Sequence, residues 1–204
     1  MKRVAGIATK CQVKEHKVIV QDWNKFIKKV LISEEDLQAR IKELGAEITR
    51  DYAGKELLVI SILRGGVMIT ADLIRQIDLP LAVEFMAVAS YEQGMRQSDG
   101  DVRITLDLRT PIKGRHVLIV EDIIDSGHTL TSVLELLQTR NPASLTICTL
   151  LDKYQRREVD VDIRYTGFKI ENEFVFGYGL DIDEYYRNLP FIGIVDLDKY
   201  ESPG

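Results

Sequence analysis

The stretch from His116 to Leu130 constrains this chain more than any other. It opens on four consecutive apolar residues, Val117, Leu118, Ile119 and Val120. A run that apolar reads as a strand buried on both faces, the habit of parallel sheets. Two adjacent carboxylates follow, Glu121 and Asp122, then Ile123 and Ile124, then the small polar loop Asp125-Ser126-Gly127-His128-Thr129. From Leu130 the period changes, because Leu130, Val133, Leu134 and Leu137 are spaced as one face of a helix. The order strand, acidic pair, loop, helix predicts a ligand site, since open parallel sheets bind ligands at the carboxyl ends of their strands.

The residue types narrow the ligand. Ser126, Gly127 and Thr129 are small, and Gly127 lets backbone approach closely. Free N–H groups at the start of the next helix, with its dipole, suit a phosphate. Two carboxylates beside a phosphate would repel it unless a divalent cation such as Mg²⁺, or ribose hydroxyls, stand between them. A phosphorylated sugar carried with a metal would engage all of these groups. A nucleotide-binding strand of another α/β protein also ends in acids, but it needs a Gly-x-x-x-x-Gly-Lys-Ser/Thr loop upstream, and this chain has none.

Further elements fall on either side. Ser33 reads as an N-cap, followed by Glu34, Glu35 and Asp36 and by Leu37, Ile41, Leu44 and Ile48 on one helical face, with Gly54 as the stop. Leu57–Leu63 predicts a buried strand, then Arg64-Gly65-Gly66 and a helix from about Val67 to Gln76. On its chemistry this loop is either a tight turn with a solvated Arg or a backbone cradle for an anion. Residues 81–88 and 102–106 predict two more strands. The polar, glycine-bearing stretch between them, about 90–102 and beginning at Ser90-Tyr91, reads as a surface loop. Ser144–Leu151 predicts a strand ending in Asp152-Lys153-Tyr154, which places Lys153 on the side of Asp125 if the strands are parallel. Arg156-Arg157-Glu158 reads as a plain charged turn, Val159 to Tyr165 alternates, and Phe191–Val195 reads as a final strand. Before Ser33 only Val18-Ile19-Val20 suggests a strand, and Trp23, Phe26 and Ile27 offer apolar surface.

Composition excludes several classes. A net charge of -5 argues against duplex DNA or an anionic membrane surface as partner. No apolar run approaches the ~18 residues that span a bilayer. The two cysteines, Cys11 and Cys148, do not make a disulfide framework, so a reducing cytoplasm is the simplest location. Cys148, inside an apolar run, reads as a core thiol.

The run Val117 to Leu130 resembles the phosphoribosyl-pyrophosphate signature of the type I phosphoribosyltransferases. Glu173-Phe174-Val175-Phe176-Gly177-Tyr178-Gly179-Leu180-Asp181, with Glu184 to Pro190 after it, is similar to the purine hood of the 6-oxopurine subgroup, closest to the hypoxanthine-guanine type. The resemblance spans about Val30 to Val195. It implies an open, twisted, mainly parallel sheet flanked by helices, with a small hood from the chain ends. It implies one domain over 1–204: a core at about 33–165, a hood from about 1–30 and 166–204, and a lid.

The implied activity joins a 6-oxopurine base to phosphoribosyl pyrophosphate with Mg²⁺ as cofactor. Ser126, Gly127, His128 and Thr129 would hold the 5′-phosphate, and Glu121 and Asp122 the ribose hydroxyls and metal. Arg64, Gly65 and Arg187 would bind pyrophosphate, through a loop with a non-proline cis peptide between Leu63 and Arg64. Asp181 would ligate a second Mg²⁺. Phe174 would stack on the purine beside Val175 and Asp181, Lys153 would donate to its O6, and Asp125 would accept the N7 proton. Ser90 and Tyr91 would begin the lid. Arg64 stands where many relatives carry Lys, which keeps a cation but changes its geometry. Relatives form dimers and tetramers. The rivals are a xanthine-preferring enzyme of the same fold, and a regulator that keeps the fold as a sensor and binds nucleic acid.

Overall fold

The computed structural model describes residues 21–90 and 102–202. Val18-Ile19-Val20, Cys11, Tyr91 and most of the expected lid lie outside them. Six strands form the main sheet: β2 (Leu57–Leu63), β3 (Leu81–Ser90), β4 (Val102–Leu106), β5 (His116–Ile124), β6 (Ser144–Asp152) and β7 (Tyr165–Lys169). Their spatial order is β4-β3-β2-β5-β6-β7. Every pairing is parallel except β3 with β4, so the fold is α/β with a mainly parallel sheet.

The apolar runs are continuous because both faces of this sheet are covered. On β2, Leu57 and Val59 pack into one core with α1 (Glu34–Asp51) and α2 (Val67–Ile74). Leu58, Ile60 and Ile62 pack into the opposite core with α3 (His128–Gln138). On β5, Leu118 and Val120 join the first core, Val117 and Ile119 the second. The helix α1 is closed as expected at its start, where Asp36 N–H donates to Ser33 Oγ at 3.1 Å. Its C-cap is Tyr52, and Gly54 follows at φ +74°. The helix α2 stops two residues before the expected Gln76.

Two differences from the sequence reading bear on function. The strand β5 continues to Ile124, so Glu121 and Asp122 lie within the strand rather than beyond it; their neighbours on β6 carry the ladder on to Asp152. The alternating stretch 159–163 joins no ladder; pairing resumes only at Tyr165. The helix α3 begins at His128, where Gly127 at φ +94° turns the chain directly into it.

A second sheet was only partly foreseen. The strand β9 (Ile192–Val195) pairs antiparallel with β1 (Ile27–Ile32) on one side and β8 (Val175–Phe176) on the other. Beneath it Phe26, Phe176, Ile182 and Val195 form a separate core. Phe26 is its centre, with ring centroids 5.3 Å from Phe176, 5.3 Å from Tyr186 and 5.0 Å from Tyr200. Cys148 is fully buried, and burial pushes its thiol up to about 12, so it acts as an inert core residue. Among the described residues no helix is long and apolar enough to cross a membrane.

Candidate active site

Parallel pairing of β2, β5 and β6 brings three loops to one edge of the sheet. The first follows β5. Asp125, Ser126, Gly127 and Thr129, with Glu121, line a cavity of about 180 Å³. Gly127 is required there twice over: its φ is left-handed, and a Cβ would press 3.0 Å from both Val159 Cγ2 and Val161 Cγ2. The first-turn N–H groups of α3 have no intrahelical acceptor and adjoin this cavity. The His128 side chain is exposed and turned to Glu158, with Nε2 3.0 Å from Oε2.

The second loop follows β2. The peptide between Leu63 and Arg64 is cis. Gly65 is buried against Asp122, and a Cβ on it would collide with the Asp122 carboxylate. A Cβ on Gly179 would likewise collide with the Gly65 carbonyl oxygen. That contact docks the segment after β8 onto the loop, and Arg187 Nη1 donates to Gly179 O at 2.8 Å. Arg187 Nη2 lies 2.8 Å from Asp181 Oδ1. Arg64 Nη2 donates to Glu184 Oε1 at 2.6 Å, while Glu184 Oε2 lies 3.5 Å from Arg187. Arg64, Gly65, Asp122, Asp181 and Arg187, far apart in sequence, are therefore neighbours. Glu184 is the member that residue types alone did not single out, since an exposed Glu beside aromatic residues has no distinguishing pattern.

The third loop follows β6. Lys153 N–H donates to Ile124 O at 3.0 Å, extending the ladder by one bond. Lys153 is nearly buried, at 9% exposure, and its Nζ is 3.8 Å from Asp125 Oδ2. Arg156-Arg157-Glu158, expected as a plain charged turn, makes specific contacts with the loop after β5 and with β6, although Arg156 and Glu158 stay exposed. Arg156 Nε reaches Asp125 Oδ1 at 2.9 Å, Arg157 pairs with the buried Asp152, and Glu158 N–H donates to Ser126 O at 3.0 Å. Val175 is buried at the start of β8, whereas the preceding Phe174 is exposed. Ser90 ends β3; Tyr91 lies outside the described residues.

The electrostatics favour a cation at the end of β5. Burial first, and then the charge of Asp122, raise the Glu121 carboxyl well above the usual range. Its Oε2 is buried with no hydrogen-bond partner. Burial pushes Asp122 up to about 6, against the Ile123 and Asp122 N–H groups and Arg187, which favour the ionised form; Asp181 adds to the rise. Carboxylates held in this way suit Mg²⁺. Among the described residues no group of three or more His, Cys, Asp or Glu forms a ready cage.

The comparisons agree with this geometry. Residues 33–183 match the phosphoribosyl transferase domain family. The chain is 56% identical to a hypoxanthine phosphoribosyltransferase of Haemophilus influenzae, over 83% of this chain and 96% of that protein. It is 50% identical to a hypoxanthine-guanine phosphoribosyltransferase of Staphylococcus aureus, over 86% and 98%. It superposes on a crystal structure of a hypoxanthine phosphoribosyltransferase from Staphylococcus aureus with a TM-score of 0.83 and 49% identity, covering 88% of this chain and 97% of that one. This chain belongs to the phosphoribosyltransferase family, within its hypoxanthine and hypoxanthine-guanine group.

Proposed function

We propose that this protein is a purine salvage enzyme. It transfers the 5-phosphoribosyl group of phosphoribosyl pyrophosphate to N9 of hypoxanthine and/or guanine, giving the nucleoside monophosphate and pyrophosphate. One observation carries the reading: a phosphate-sized loop, a paired Lys153–Asp125 and an Arg64–Gly65–Asp181–Arg187 cluster meet at one edge of the sheet. Those groups supply what a phosphosugar, a purine edge and a pyrophosphate each need.

The roles follow from the chemistry of each group. Ser126 to Thr129 hold the 5′-phosphate with small side chains and the N-terminal N–H groups of α3. Glu121 and Asp122 accept from the ribose hydroxyls. Arg64, the Gly65 backbone and Arg187 bind the pyrophosphate, whose charge they neutralise as the bond from C1′ breaks. Phe174 offers an exposed ring for stacking, and Val175 backs it. Lys153 can only donate, so it selects a 6-oxo acceptor over a 6-amino group. As purine N9 attacks C1′, Asp125 accepts the proton from N7. When bound, Mg²⁺ would be held by Glu121 and Asp122, with a second ion at Asp181, and would supply further charge neutralisation and orientation of the phosphate oxygens. Residues 1–204 act as one domain, with the small sheet as hood over the base and the segment from Ser90 and Tyr91 as lid. The cytoplasm is the expected location, and a homodimer or homotetramer the expected assembly.

The test is release of pyrophosphate from phosphoribosyl pyrophosphate and Mg²⁺ with each purine and pyrimidine base in turn. Turnover with hypoxanthine or guanine and little with adenine is expected. Preference for xanthine would move the protein to that substrate, and no turnover with any base would overturn the enzymatic reading.

A further inference from the structure

Asp125 is flanked by two cations from a single turn. Lys153 Nζ lies 3.8 Å from Oδ2, and Arg156 Nε lies 2.9 Å from Oδ1. The two oxygens are not equivalent. Oδ1 is buried and accepts no aligned hydrogen bond, so its contact with Arg156 is one of charge. The Asp125 side chain as a whole is 42% exposed, so its accessible part lies away from Oδ1.

The turn that carries both cations is pinned at each end. Lys153 N–H donates to Ile124 O, and Arg156 N–H donates to Lys153 O at 2.9 Å. Arg157 is committed to Asp152, and both are largely buried. Then Glu158 and Val159 both donate N–H bonds to Ser126 O, at 3.0 and 3.3 Å. Arg156 is therefore delivered to Asp125 by backbone bonds to the same loop that holds Asp125.

We infer that Arg156 is a positioning residue for Asp125. It keeps Oδ1 against the turn, so that Oδ2, beside the Lys153 ammonium, is the oxygen offered to the base. The inference rests on the reading of Lys153 as O6 donor and Asp125 as N7 proton acceptor. O6 and N7 are adjacent on one purine edge, so recognition needs a donor and an acceptor side by side, and Lys153 Nζ and Asp125 Oδ2 are such a pair. The outer torsion of an Asp side chain is soft. Without Arg156 the carboxylate is free to turn fully onto Lys153, pairing the two groups that the base must separate.

The experiment compares wild type, R156A, R156K, D125N and the double variant R156A/D125N by pyrophosphate release, varying hypoxanthine and phosphoribosyl pyrophosphate in turn, with melting curves for each. R156A is expected to lower kcat/KM for hypoxanthine ~10-fold while KM for phosphoribosyl pyrophosphate stays within about twofold. R156K is expected to recover part of the loss, because it keeps the charge. In the D125N background R156A is expected to cost less than about twofold, because the group it positions is gone. A merely structural contribution would lower the melting temperature and act equally in both backgrounds. Wild-type kcat/KM in R156A, or the same loss in both backgrounds, overturns the inference and leaves the reading of Asp125 standing. Wild-type turnover by D125N would overturn both.

Discussion

Gly65 and Lys153 show how single residues decide this site. A side chain at Gly65 would collide with the Asp122 carboxylate, so the loop after β2 can approach the end of β5 only as glycine. G65A is expected to push the loop outward and lower kcat/KM for phosphoribosyl pyrophosphate by about 100-fold, the order of loss that a misplacement near 1 Å can cause. A near-normal kcat/KM in that variant would remove the Gly65 backbone from pyrophosphate binding. Lys153 is almost buried, and its only ion-pair partner among the described residues is Asp125, an arrangement suited to a ligand group that accepts. K153A is expected to shrink the ratio of kcat/KM for hypoxanthine over adenine at least ~10-fold, because the donor that distinguishes the 6-oxo group is lost. An unchanged ratio counts against the O6 contact. The residue types at Asp125, Lys153, Asp181 and Arg187 were legible because they stand in ordered motifs. Arg156 and Glu184 were not. A charged residue in a polar turn looks the same in sequence whether it meets water or another charged side chain.

At the scale of elements, a junction near Asp72 ties the helices to the segment after β8. Asp72 on α2 accepts from Tyr178 Oη, from Gln38 Nε2 of α1 at 3.1 Å, and from Arg75. Burial raises its pKa, but the hydrogen bonds from Tyr178, Gln38 and Arg75 together outweigh this and leave it lowered. A carboxyl with a lowered folded-state pKa stabilises the fold above its unfolded value of ~3.9, and that contribution is lost as pH falls through the folded value. D72N is therefore expected to be less stable than wild type by about 1–3 kcal/mol at pH 7, the cost of disrupting a partly buried network. Urea melts should show the gap narrowing as pH drops below about 4. A gap independent of pH would mean that the charge on Asp72 contributes nothing. Long elements with two buried faces or a clear cap, β2, β5, β6 and α1, are legible as elements in the pattern, but the end of β5 is not, because its ladder runs on past the apolar run to Ile124. The strand β1 was missed because its partner β9 lies at the other end of the chain and its middle residues are exposed, which leaves no alternation to read. The strand β8, two residues long, carries too short a pattern to register.

For the whole molecule, the metal role proposed for the acidic residues predicts that activity depends on a cation. Stripping the protein with a chelator is expected to abolish pyrophosphate release, and added Mg²⁺ to restore it; turnover unaffected by the chelator would count against the metal. Mg²⁺ and phosphoribosyl pyrophosphate together are expected to raise the melting temperature, since a ligand at 100 times its Kd adds about 2.7 kcal/mol to the folded state. The phosphosugar alone is expected to raise it less. The comparison separates binding from turnover, because melting reads occupancy without chemistry.

The chain by itself determined the parallel sheet and the small polar loop after β5, and it determined the family. Each is written in local residue order: apolar runs that must be buried on both faces, small residues before a helix, carboxylates at a fixed offset. Tertiary structure alone decided that Glu121 and Asp122 remain within a strand, that Arg64 and Arg187 meet through Glu184, and that Arg156 turns onto Asp125. These depend on how far a ladder runs and on which distant loops its strands bring together. Parallel pairing of β5 with β6 sets the Lys153 turn beside Asp125, and no pattern within either segment records that meeting.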